Sequence, residues 1–124
     1  MSHSILKPSF ERQDHRGLFQ ELLNTGVWET VIYARMNPDA VLGNHYHKKT
    51  EIFLYLLSGA AQIRTVHVES GQRDQFRLEA GSGVLLHTYH SHAIRFTESS
   101  EIIMLKSRRY DEADPDTYVL PVEG

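Results

Sequence analysis

No stretch of this sequence keeps apolar residues at the i, i+3, i+4, i+7 spacing of a helix face with a cap at its start, which excludes long helices. The chain instead offers short apolar stretches separated by turn-forming residues, the pattern of a β-sandwich or barrel. Nine candidate strands follow: Leu18–Leu23, Val27–Met36, Ile52–Leu57, Ala61–Val68, Phe76–Leu78, Val84–Leu86, His92–Thr97, Glu101–Ser107 and Tyr118–Val122. Between them lie Asn24-Thr25-Gly26, Asn37-Pro38-Asp39, Ser58-Gly59, Glu69-Ser70-Gly71, Gly81 with Gly83, Glu98-Ser99-Ser100 and Asp114-Pro115-Asp116. All are residues whose backbone preferences favour turns. The acidic segment from Tyr110 to Asp114 stops at Pro115 and reads as an exposed connection.

At 124 residues the chain has the length of one globular domain, residues 1–124. It has no cysteine, which excludes a disulfide-stapled scaffold, a four-cysteine zinc module and a thiolate nucleophile, so any metal must sit on nitrogen and oxygen. Thirteen Lys and Arg against sixteen Asp and Glu give a net charge of −3, without the basic excess that nucleic acid binding requires. The longest apolar run, Ile52 to Leu57, is far short of the roughly 20 residues that span a bilayer, so no membrane partner is expected. The opening MSHSILKPSF lacks a secretory apolar core, and a cytoplasmic address is the expectation.

The eight histidines are the unusual feature, five of them in the clusters His45/His47 and His87/His90/His92. On a strand, alternation puts His45 and His47 on one face and Tyr46 on the other. Glu51 follows at the mouth of IFLYLL, a strand apolar at every position, where a carboxylate needs a partner. His92 shares parity with Ile94 and Phe96 and is expected to point inward with them. His45, His47, Glu51 and His92 thus form a candidate ligand set for one divalent transition metal, zinc foremost, with iron, manganese, nickel or cobalt as alternatives. The expected core contains Phe53, Tyr55, Leu57, Ile63, Ile94 and Phe96.

These residues carry a resemblance. The first cupin motif, G(X)5HXH(X)3–4E(X)6G, resembles Asn37–Gly59, with His45, His47 and Glu51 in place, Gly59 one residue late and the leading glycine displaced. The second, G(X)5PXG(X)2H, is similar to Gly81–His92, with His87 in the proline position and Tyr89 in the glycine position. The resemblance implies an all-β, cupin-type double-stranded β-helix, a jelly-roll sandwich or barrel.

Three further stretches narrow it. GNHYHKKTE with FLYLLSGAAQIR, and the ending YDEADPDTYVLPV, resemble the C-terminal cupin domain of capsular-polysaccharide epimerase/reductase enzymes. The opening DHRGLFQE, with Asp14, Arg16, Gly17 and Phe19, is similar to an element of that domain and of nucleotide-sugar epimerases and ketoisomerases. This implies an enzyme that epimerises or isomerises nucleotide-linked 4-keto hexoses in surface-polysaccharide biosynthesis, with a nucleotide-diphospho sugar as small-molecule partner.

Such chemistry needs a base beside a carbonyl, an electrophile for the enolate and an acid to return the proton. His90, His87, Tyr46 and Tyr89 are the proton-transfer candidates, His90 facing the cavity if its strand is regular. Arg16 is the candidate diphosphate contact, because a guanidinium offers two parallel hydrogen bonds to phosphate oxygens. Lys48 and Tyr89 are further substrate-binding candidates. The resemblance also implies a homodimer, with Val31 and Tyr33 of Val27–Met36 as interface candidates. Two rival readings are an iron-dependent cupin dioxygenase acting on a small organic substrate and a non-catalytic small-molecule-binding cupin.

Overall fold

A computed structural model describes residues 5–122. Its elements are all strands: β1 (Ile5–Leu6), β2 (Phe10–Asp14), β3 (Gly17–Glu21), β4 (Thr30–Met36), β5 (Val41–Tyr46), β6 (Ile52–Ser58), β7 (Ala60–His67), β8 (Arg73–Glu79), β9 (Ser82–Leu86), β10 (His90–Phe96), β11 (Ser100–Lys106) and β12 (Tyr118–Val119). One five-stranded sheet has the order β1-β9-β6-β11-β4 and a second the order β12-β5-β10-β7-β8, every pairing antiparallel. This is the jelly-roll architecture expected from the sequence, and it contains no helix among the described residues.

Each of the nine expected strands has a counterpart. β1, β2 and β5 were not among them. In β5, Gly43-Asn44 forms a bulge inside the strand. β10 opposes it with His92 against His45, Ala93 against Gly43 and Ile94 against Leu42, so Asn44 is the extra residue. Asn44 has φ 60 and Gly43 φ 105. A Cβ on Gly43 would come within 2.3 Å of the His92 carbonyl oxygen, so the close approach of β5 to β10 requires glycine. The bulge reverses the alternation along β5. Leu42 and His45, three residues apart, therefore both line the interior, which a regular strand would forbid.

The core lies between the two sheets, built from Ile52, Leu54 and Leu56 of β6, Ile63 of β7, Leu78 of β8, Val84 and Leu86 of β9, Ile94 and Phe96 of β10, and Ile102 and Met104 of β11. Expected core positions Ile63, Ile94 and Phe96 are fully buried there. Phe53 and Tyr55 are equally buried but on the other face of β6, their ring centroids 6.3 Å apart. Leu57 is a correction: it is 41% exposed, because β6 is buried on both faces only up to Leu56.

Two features stand outside this core. β4 is an edge strand whose Ile32, Ala34 and Met36 face the interior, while Val31 and Tyr33 are 71% and 53% exposed. The β2–β3 hairpin pairs with itself, and all ten of its residues are exposed, Phe10, Leu18 and Phe19 included.

Candidate functional site

His45 ends the bulged part of β5, His47 follows it, and His92 sits opposite His45 on β10. Ligand nitrogens of the three imidazoles lie within 4.8 Å of one another, and the ring centroids are 5.0 Å apart for His45–His47, 5.0 Å for His45–His92 and 5.9 Å for His47–His92. His47 and His92 are buried. A cavity of about 290 Å³ opens beside them, lined by His45, His92 and Lys106 and by apolar side chains that include Ile32, Met36, Leu42 and Met104.

Burial disfavours the protonated form of two of these rings. Burial, then the positive character of His47 and Lys106, pushes His45 down to about 4. His47 is lowered by burial as well, against a partly compensating hydrogen bond to Asp116. That bond runs from His47 Nδ1–H to the Asp116 carbonyl oxygen at 2.6 Å. It fixes the tautomer, leaving Nε2 with its lone pair, and Nε2 is buried with no hydrogen-bond partner. A neutral imidazole pinned through one nitrogen, with a bare second nitrogen directed at two further imidazoles, fits the donor set of a divalent transition metal.

Asp116 organises this corner. Its carboxylate accepts the backbone N–H of Lys48, Lys49 and Thr50, each at 2.9 Å, and the Thr50 hydroxyl at 2.8 Å. Burial alone would raise its pKa, but those donors together outweigh it and hold the carboxyl below the usual range. Of the connection expected to be exposed from Tyr110 to Asp114, the residues up to Ala113 are exposed, while Asp114 is half-buried, pairing with Lys49 at 2.8 Å and Arg108 at 3.6 Å.

The remaining expected site residues lie elsewhere. Glu51, expected as a fourth ligand, has its carboxylate on His87 Nδ1–H and on the Thr88 backbone N–H, each at 2.8 Å, outside the three-histidine group. Starting an apolar strand, it meets its need for a partner in the His87 turn instead. His90 does not line the cavity although it shares parity with His92. At the first position of β10, its Nδ1–H reaches the Thr88 carbonyl at 3.0 Å, and its ring packs on His67 at 4.8 Å. Tyr46 projects to the opposite side from its histidine neighbours, stacked on Tyr118 at 5.3 Å and near Tyr89 at 6.4 Å, with Lys48 Nζ 4.4 Å above the Tyr118 ring. Tyr89 adopts φ 61, so the turn keeps a left-handed residue without the glycine of the cupin motif. Arg16 forms a two-point ion pair with Asp14, at 2.7 and 3.2 Å, on the exposed hairpin and away from the cavity.

The polysaccharide biosynthesis C-terminal domain model matches residues 12–118. The chain belongs to this family. Among solved structures, this member of the polysaccharide biosynthesis C-terminal domain family is similar to the capsular polysaccharide assembling protein CapF from Staphylococcus aureus. The two are 26% identical with a TM-score of 0.70, over 98% of this chain and 34% of CapF. The chain therefore spans about a third of CapF's length. In fold it also resembles the TDP-quinovose 3,4-ketoisomerase WlaRB from Campylobacter jejuni, at 22% identity and TM-score 0.78, over 94% of this chain and 91% of the other. A third likeness is to the dTDP-4-dehydrorhamnose 3,5-epimerase from Sulfolobus tokodaii, at 18% identity and TM-score 0.75, over 91% and 73% respectively. No curated protein matches the chain.

Two residues of this family member's site escape a reading of histidine spacing. Lys106 shares parity with Ile102 and Met104 in EIIMLK, a signal that would have placed it inward. Asp116 carried no local signal, since its partners lie more than 60 residues away.

The depressed His45 has a thermodynamic consequence in metal-free protein. Between pH 4 and 6.5 the unfolded chain holds a proton on this ring that the folded chain refuses, so stability rises with pH across that window. Urea midpoints measured over this range should climb in the native sequence and climb less in His45→Gln. A midpoint independent of pH in the native sequence would contradict the assignment.

Proposed function

We propose that the chain is an epimerase or isomerase of nucleotide-linked 4-keto hexoses in surface-polysaccharide biosynthesis. The observation that carries this reading is the pair His45 and His92 of the imidazole triple lining a cavity whose other walls are apolar except for Lys106. A neutral imidazole accepts the proton beside the sugar's ketone, and the apolar walls exclude water that would solvate the resulting anion. Of the triple, His45 and His92 line the cavity, and the low proton affinity of His45 favours handing a proton back to carbon. The family match and the likeness to CapF support a place in polysaccharide biosynthesis, and the shared fold of enzymes acting on TDP- and dTDP-linked sugars supports the nucleotide-sugar class.

We further propose that His45, His47 and His92 hold one divalent transition metal, zinc foremost. When bound, such an ion supplies a Lewis acid for a carbonyl oxygen. Nitrogens committed to a metal are not free to accept protons, so the state of the triple decides how the site works. The test is incubation of metal-free and zinc-reconstituted protein in D₂O with a panel of nucleotide-diphospho-4-keto-hexoses. Deuterium should enter the carbon next to the ketone in at least one state, with neither NAD(P)H nor oxygen consumed. No exchange in either state, or oxygen uptake, would overturn the reading.

We also propose that the chain forms a homodimer through the outer face of β4, where Val31 and Tyr33 lie exposed on an edge strand. Sedimentation velocity at micromolar concentration should show a species of twice the 14.3 kDa chain mass, shifted toward monomer in Val31→Lys. A 14.3 kDa species alone in the native sequence would count against it.

A further inference from the structure

The titratable groups lining the cavity are all basic: His45, His92 and Lys106. Lys106 is the last residue of β11, and its alternation with Ile102 and Met104 turns its side chain to the interior, while its backbone carbonyl accepts the N–H of Glu29. The side chain is half-buried and enters no ion pair or hydrogen bond among the described residues. Other cations nearby do have carboxylate partners: Lys49 has Asp114, and Arg108 has Asp114 and Asp116. Lys106 also borders a second pocket with Asp114 and Asp116 but pairs with neither, and an ammonium partly withdrawn from water is best offset by an anionic oxygen.

We propose that Lys106 is the oxyanion-holding catalytic residue of this cavity. When the C–H bond beside the ketone breaks, the proton passes to an imidazole, and the electron pair enters the enolate double bond. The charge then falls on the former keto oxygen. The Lys106 ammonium donates a hydrogen bond to that oxygen and keeps all three of its protons, and reprotonation at carbon reverses the flow. Identifying the oxygen as a sugar's keto oxygen rests on the function proposed above. The pairing of Lys106 with an anionic oxygen does not.

The experiment separates the two. Benzoate and benzamide have nearly the same shape and differ in charge, and binding of each is measured calorimetrically on the full chain, dialysed against a chelator so that no ion competes for the carboxylate. The native sequence should prefer benzoate by about tenfold, the scale of one charge-assisted hydrogen bond, and Lys106→Met should lose the preference while keeping benzamide affinity. No preference in the native sequence, or one that survives in Lys106→Met, overturns the proposal. With the exchanging sugar nucleotide, Lys106→Met should lower kcat by roughly 10²-fold with little change in KM, and Lys106→Arg should recover part of it. A kcat within twofold of the native value overturns the catalytic role. A panel without exchange defeats the sugar reading and leaves the benzoate comparison to decide the pairing.

Discussion

The carboxylate of Asp116, clamped by three consecutive backbone N–H groups and one hydroxyl, is the interaction on which the site depends. Lys48, Lys49 and Thr50 form the corner where the chain leaves β5 and turns toward β6, and their N–H groups would otherwise be without strand partners. One buried carboxylate satisfies all three, and the same residue's carbonyl sets the tautomer of His47. The tail is fastened again downstream, where Ser91 Oγ–H donates to the Leu120 carbonyl and the Val122 N–H donates to Asn44 Oδ1. Aspartate is well suited to position 116. Alanine would leave several buried donors unmet at about 1–3 kcal/mol each, and asparagine would replace one acceptor oxygen with a donor.

The second constraint is the bulge in β5. It allows a strand that buries Leu42 against Ile94 to present His45 against His92 three residues later. Were Asn44 paired in regular alternation instead of bulged out, His45 would swing to the outer face and Tyr46 would come inward, exchanging an imidazole for a phenol. The same sheet thus supplies apolar wall and polar site from one continuous strand pair. The result is a cavity with basic groups at one end and hydrocarbon at the other, suited to a ligand that is partly apolar and carries an electron-rich oxygen.

Much of the fold was legible in the sequence because antiparallel strands announce themselves by turn residues and short apolar runs. The strand face of His45 and His47 was legible, but the extent of β5 was not, because Gly43 and Asn44 serve equally well in a turn or a bulge and only pairing with β10 decides between them. In the site, the inward parity of His92 and the shared face of His45 and His47 were readable. Glu51 was not, because four residues beyond His47 the chain has already turned the corner held by Asp116, and its carboxylate meets His87. His90 fails for a related reason: parity says which side of a sheet a residue faces, not whether it lies over the cavity or beyond its rim. Lys106 shows the converse, a charged residue that parity alone would have placed inside.

The segment around Asp116 holds His47 as an imidazole with its proton on Nδ1 and its lone pair on Nε2. Long-range ¹H–¹⁵N correlation spectra of the histidine rings at pH 7, recorded on metal-free protein, report that tautomer directly. His47 is expected to show a protonated, hydrogen-bonded Nδ1 and a bare Nε2. A proton on Nε2, or a doubly protonated ring, would contradict it.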